Sequence, residues 1–322
     1  MMLLLTALLT SVPAHAKKDR AYTAIRVDLE GRTGLCPGEF QKLDLYGTDD
    51  SGKERKIRFG QWKEFQLGWD IGPVSKKGVL EMPLAPEPAW GKAGTLSVAS
   101  LSNPEVNASA NLPARYDCDL VLTRAGQPGN FGAAGERGST ASESSGGNGQ
   151  SGGGGQAGGN GPGLEVRVHL AKDPNSGVDV LQVAVKDLVS GEAWNTAVGV
   201  DGGKMTIQSM GGPGGGGGPG GEGGSGATDF DGGNGGQGGN GGNGGNGGTI
   251  TVLVDPAAST AIGALEFQSP GGAPGTAGPG GAGGQAFDPG EPGQPGPEGH
   301  AGNAGPAGPS PDIRVEAVGP IW

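Results

Sequence analysis

Gly232-Gly233-Asn234-Gly235-Gly236-Gln237-Gly238-Gly239-Asn240-Gly241-Gly242-Asn243-Gly244-Gly245-Asn246-Gly247-Gly248 repeats a three-residue unit without a slip. Just before it, Gly211, Gly214, Gly217, Gly220, Gly223 and Gly226 keep the same period, and Ala227 to Asp231 breaks it. This out, break and return layout occurs twice more. Glycines run from Gly126 to Gly138, pause over Ala141 to Ser145, and resume from Gly146 to Gly161. They run again from Gly272 to Gly284, pause at Phe287-Asp288-Pro289, and return from Gly290 to Gly308. The excursions at 126–163, 211–248 and 271–311 enter from Leu120-Val121-Leu122, Met205-Thr206-Ile207 and Leu265-Glu266-Phe267. They leave through Leu164-Glu165-Val166, Thr249-Ile250-Thr251-Val252 and Asp312-Ile313-Arg314-Val315. One device is used three times.

Three residues per turn is the period of a polyproline-II helix, which has no internal hydrogen bonds. Its amides and carbonyls need partners on neighbouring helices. A residue without a side chain lets such a neighbour approach. Each break reads as a turn, so three antiparallel hairpins supply six helices, each roughly 50–60 Å long at the rise of this helix. Collagen competes, but its chains run parallel and Gly-Gly-Asn is a poor collagen triplet. Disorder also competes, because ordering glycine loses the most backbone entropy. A flexible linker has no reason to hold one register on both legs of three excursions.

Triplets such as Gly232-Gly233-Asn234 and Gly238-Gly239-Asn240 resemble those of proteins built as polyglycine-II bundles. That family includes the snow flea antifreeze protein and the glycine-rich tip adhesins of bacteriophage tail fibres. The resemblance covers the three excursions and implies a six-helix polyglycine-II/polyproline-II bundle. In the adhesins it also implies recognition of a receptor through loops carried by the helices. Strand counting between excursions agrees with such an assembly: all three hairpins leave one end of a β-sandwich and turn at a common tip. The second hairpin has the most glycine and belongs in the middle.

Outside the excursions the chain reads as all-β. Ile25, Val27 and Leu29 alternate with polar residues, as do Leu43 and Leu45, Ile57 and Phe59, and Leu96 and Val98. This is the period of half-buried strands. Trp62, Trp69 and Trp90 are expected to fill the core. Residues 17–117 are similar in layout to bacterial immunoglobulin-like domains, which act as spacers, and 118–322 form a second β-sandwich carrying the hairpins.

Leu3 to Val12 is apolar but too short to span a bilayer. Ala14-His15-Ala16 follows with the small residues a signal peptidase accepts, so 1–16 reads as an export signal, although no basic residue precedes it. Export makes Cys36 and Cys118 a disulfide pair, closing a loop worth on the order of 4 kcal/mol. Two free buried thiols are the competing reading. The expected location is secreted or in a bacterial cell envelope, without membrane insertion. The net charge of −11 repels phosphate and argues against nucleic acid.

No nucleophile–base or metal-ligand constellation stands out, and no cofactor is expected. His169 and His300 read as ordinary strand and leg residues, and no glycine run ends in Gly-Lys-Ser/Thr. The turns are the best site candidates. Glu143, Asp229, Phe230, Asp231, Phe287 and Asp288 put aromatics beside carboxylates, which suits a surface glycan or protein receptor. The competing reading has the rings capping the bundle and the aspartates making local turn bonds. Asp229 and Asp231 offer too few ligands to indicate calcium. Asn234, Asn240, Asn243 and Asn246 form a ladder, read as a solvated face or an ice-binding array. The expectation is a non-enzymatic surface display scaffold that binds through its tips. Ice binding and a ligand-free structural role are the alternatives.

Overall fold

Alternating apolar residues become strands wherever one face meets a core. A computed structural model describes residues 22–322; the expected export signal lies outside the described residues. Its first strands are β1 (Tyr22–Asp28), β2 (Phe40–Lys42), β3 (Asp44–Asp49), β4 (Glu54–Lys56), β5 (Phe65–Trp69), β6 (Val79–Glu81), β7 (Thr95–Ser100) and β8 (Asn107–Asn111). They form antiparallel sheets ordered β1-β3-β4, β2-β6 and β5-β7-β8. Leu43, Leu45, Trp62, Trp69, Leu80 and Leu96 are buried among them.

Two expectations change here. Ile57 and Phe59 do not continue a strand: β4 stops at Lys56, and Phe59–Glu64 is a 3-10 turn. That turn brings Trp62 inside, where its indole N–H donates to the Ile57 carbonyl at 3.3 Å. Gly78, with φ at +68°, lies against the Trp62 ring and has no room for a Cβ. Trp90 does not join this core. It meets Tyr116 and Trp322 edge-on, with ring centroids 6.4 and 5.8 Å away. With buried Val180 and Ala197 these rings cover the seam to the following strands. Burial pushes the Tyr116 phenol far above its ordinary pKa, so it stays neutral there.

The remaining strands are β9 (Asp119–Ala125), β10 (Leu164–Lys172), β11 (Asp179–Asp187), β12 (Ala193–Gly199), β13 (Lys204–Met210), β14 (Ile250–Val254), β15 (Leu265–Gln268) and β16 (Asp312–Val315). Five make a sheet ordered β12-β11-β10-β14-β16, and three make a sheet ordered β15-β13-β9. Leu164, Val166, Val183, Val252, Ile207 and Leu265 share the core between the two sheets. The strands entering the excursions, β9, β13 and β15, are mutually parallel, as are the strands leaving them, β10, β14 and β16. The fold is therefore all-β, joined by short 3-10 turns. Cys36 and Cys118 form a disulfide with Cα atoms 6.1 Å apart. It ties the loop before β2 to the start of β9. The Gly91 amide, donating to Asp173 Oδ1 at 3.1 Å, adds a second link.

Candidate functional site: the glycine-rich legs and their tip

Six glycine-rich legs connect these strands to the turns: leg 1 at 126–140, leg 2 at 146–163, leg 3 at 211–226, leg 4 at 232–248, leg 5 at 270–286 and leg 6 at 290–311. Every third amide in a leg donates to a neighbour. Gly126, Gly129, Gly132, Gly135 and Gly138 of leg 1 donate to Met210, Pro213, Gly216, Pro219 and Glu222 at 2.7–2.9 Å. Gly211, Gly214, Gly217, Gly220 and Gly223 of leg 3 donate likewise into leg 5. Legs 2, 4 and 6 are joined by the same pattern, Gly155 to Asn240 and Gly241 to His300 both at 2.8 Å. A second set crosses between the two layers, with Gly218 donating to Gly153 and Gly239 donating to Gly218.

Legs 3 and 4 thus have partners on both flanks and in the other layer. This is why two residues in three must be glycine there. No leg glycine takes a left-handed φ, so conformational freedom is not the reason. The reason is space: a Cβ on Gly218 or Gly239 would fall far inside 3.0 Å of a neighbouring carbonyl. The third position faces outward. In leg 3 it carries Pro213 and Pro219, where no N–H is left wanting a partner.

The asparagine ladder is exposed along its length, as a solvated face would be, and three of its four side chains also bond to the neighbouring leg. The side-chain oxygens of Asn234, Asn240 and Asn243 accept the backbone amides of Gln294, His300 and Asn303 at 2.8–2.9 Å. Asn148 and Asn160 accept the amides of Asn234 and Asn246 in the same way. Gln237 stands at the equivalent register position to Pro297, which has no amide to offer. Asn148, Asn160, Asn234, Asn240 and Asn243 thus cap outward N–H groups of the next leg. Asn240→Ala should cost under about 1 kcal/mol, because water replaces the lost acceptor at an exposed amide. Hydrogen exchange should quicken at His300 and be unchanged at Gly239. Loss of protection across the whole leg would contradict this local role.

The three turns come together at one end. Ala141 donates to Ser225 and Ala227 donates to Ser144, both at 3.0 Å, and Thr228 bridges Phe287. Gly290 packs against the Phe230 carbonyl with no room for a Cβ. Of the six candidates, Asp231 is the one whose side chain makes an internal hydrogen bond. Its backbone carbonyl accepts Gly146 at 2.9 Å and its carboxylate accepts the Glu291 amide at 2.8 Å. Glu143, Asp229 and Asp288 are exposed, Asp229 in a left-handed turn with φ at +71°. Phe230 and Phe287 are 40% and 53% exposed. Among the described residues no group of three or more His, Cys, Asp or Glu could hold a metal ion.

Sequence reasoning passed over Phe131, which is 83% exposed on the flank of leg 1 and lies over Gly216. The signal was an aromatic at an outward triplet position opposite a bare glycine. Arg137 pairs with Glu222 at 3.7 Å on the same flank, with both side chains largely in water, where such pairs contribute little. His169 and His300 are apart: His169 Nδ1 lies 2.9 Å from the Val318 carbonyl, and His300 sits on leg 6. No helix among the described residues is long and apolar enough to cross a membrane. No family model, curated protein or solved structure matches this chain.

Proposed function

We propose that this chain is an exported, non-catalytic display scaffold that binds a surface glycan or protein receptor through its tip. In this reading residues 17–117 are an immunoglobulin-like spacer, and the six legs are a polyglycine-II bundle standing on the second sandwich. One observation carries the proposal. Turns from three distant parts of the chain are held side by side at the far end of the legs, leaving Phe230 and Phe287 exposed among Glu143, Asp229 and Asp288. Evenly spaced hydrogen bonds along every leg support a rigid stalk, and a rigid stalk gives a binding site reach. The carboxylates favour a sugar or a basic protein patch, and aromatic side chains usually carry most of such binding energy.

Ice binding ranks below this reading, because the side-chain oxygens of Asn234, Asn240 and Asn243 already accept amides of the neighbouring leg. The test is a Phe230→Ala, Phe287→Ala double variant, assayed on whole cells and a glycan array. It should keep its disulfide and its leg amide protection and lose attachment at least tenfold. Attachment equal to the parent's would remove the tip as the recognition site and favour a scaffold without a ligand of its own.

A further inference from the structure

The two sheets of the second sandwich are unequal. Strands β9, β13 and β15 are joined through their hairpins to β10, β14 and β16, whereas β11 and β12 have no counterpart in the smaller sheet. Among the described residues no strand takes the position beside β9, and a cavity of about 180 Å³ opens there. Leu120 and Leu122 of β9 form one wall, Trp194 and Thr196 of β12 form another, and Pro37 and Leu84 close the side toward the first strands. Thr196 is 3% exposed, and its hydroxyl is buried without a hydrogen-bond partner. A buried hydroxyl left unpaired is costly, and it marks the wall where a polar group would be welcome.

The backbone edge beside this cavity is also open. Lys204 donates to the Cys118 carbonyl and Gly126 donates to the Met210 carbonyl, which brackets the β9–β13 ladder. Parallel pairing then turns the amides and carbonyls of Leu120, Leu122 and Arg124 toward β13. Those of Asp119, Val121, Thr123 and Ala125 face away, where no further strand lies among the described residues. Edge strands are commonly protected by lysine, proline or a bulge. β9 contains neither lysine nor proline, its pairing to β13 runs without a register shift, and Val121 is 68% exposed. The cation within β9 is occupied: Arg124 lies 3.8 Å over the Trp194 ring and pairs with Glu192.

We propose that β9 and its cavity form a strand-addition site for an extended, uncharged segment of a partner protein. The segment would continue the existing β15-β13-β9 ladder through its backbone and place one bulky apolar side chain in the cavity. Specificity comes from the side chain and affinity from the main chain. The unpaired Thr196 hydroxyl favours a side chain with an apolar body and a polar end, as in tyrosine. This site lies in the sandwich, at the opposite end of the legs from the turns, and does not rest on the tip reading.

The probe is a blocked seven-residue peptide alternating threonine with valine and carrying tyrosine at its centre. Added to the full disulfide-bonded chain, it should slow hydrogen exchange at Val121, Thr123 and Ala125 at least tenfold and alter Trp194 fluorescence. The same peptide N-methylated at its pairing amides should do neither, and this comparison needs no protein variant. Val121→Pro should weaken binding at least tenfold without changing leg protection, because the Val121 amide faces away from β13. Thr196→Val should weaken the tyrosine peptide severalfold and leave a phenylalanine analogue unaffected. Fluorescence change with both peptides and no protection of the edge would make this a pocket for a small apolar molecule and overturn the proposal. So would a dimer of the chain alone that Val121→Pro dissolves, or no response to the peptide at millimolar concentration.

Discussion

Gly239→Val is expected to collapse hydrogen-exchange protection across legs 2, 3 and 4. Gly239 sits where three legs meet: its amide donates to Gly218, and a Cβ there would fall far inside 3.0 Å of the Gly153 carbonyl. The obstacle is backbone, which has no rotamer to move aside. Overpacking of this kind costs roughly 3 kcal/mol or more. The leg amides bond to other legs, so a leg pushed away from one neighbour loses its bonds to the next as well. Gly154 supplies the control. A Cβ there finds only the Asn240 carbonyl, at 3.7 Å, so Gly154→Ala should change stability by less than about 0.5 kcal/mol. Native-state amide exchange at Gly236, Gly239 and Gly242 separates the two outcomes. Equal protection in both variants would mean that the legs do not depend on close backbone approach.

Loss of the disulfide ranks second in expected effect. Cys36 and Cys118 are separated by 82 residues, a loop whose closure is worth roughly 4–5 kcal/mol in the chain-entropy model. Cys36→Ser with Cys118→Ser should therefore lower the denaturant midpoint strongly for the strands between them. Leg protection should fall much less, because the legs lie outside the closed loop. The native contacts at this corner remain available, since Leu35 donates to the Pro113 carbonyl and Arg115 to the Leu35 carbonyl. A loss of unfolding free energy under about 1 kcal/mol would show that the unfolded chain is already restricted without the bond. Peptide mapping of the non-reduced protein should recover the Cys36–Cys118 link.

The all-β character and the cysteine pairing were legible because each rests on a local or countable signal. Period-two alternation marks β1, β3 and β7 directly, and two cysteines allow one pairing. Strand limits were less legible where a large side chain dictates the path. The Ile57–Phe59 stretch alternates like a strand, yet the chain turns there to bury Trp62. Trp90 looked like core and instead covers a seam, a role set by Tyr116 and Trp322, which are remote in sequence. At the tip, an aspartate in a turn reads the same whether it faces a ligand or a neighbouring amide. Only the distance between Asp231 and Glu291 tells them apart. The asparagines posed the same difficulty. Their spacing is visible in the chain, but the offset of 60 residues that sets Asn240 against His300 depends on how the hairpins stack.

The continuity of strands and legs has a mechanical consequence. Leg 1 continues β9 and leg 3 continues β13, and the bonds between them carry on directly from the ladder, with Gly126 donating to Met210 just beyond the Ala125–Met210 pair. A pull on the turns, directed along the legs, loads these bonds in shear. No leg slides out by opening one bond after another; it must break its whole row at once. Tension at the tip is thus spread over the sandwich as a distributed load, and the weakest direction of the molecule is across the legs, where rows can peel.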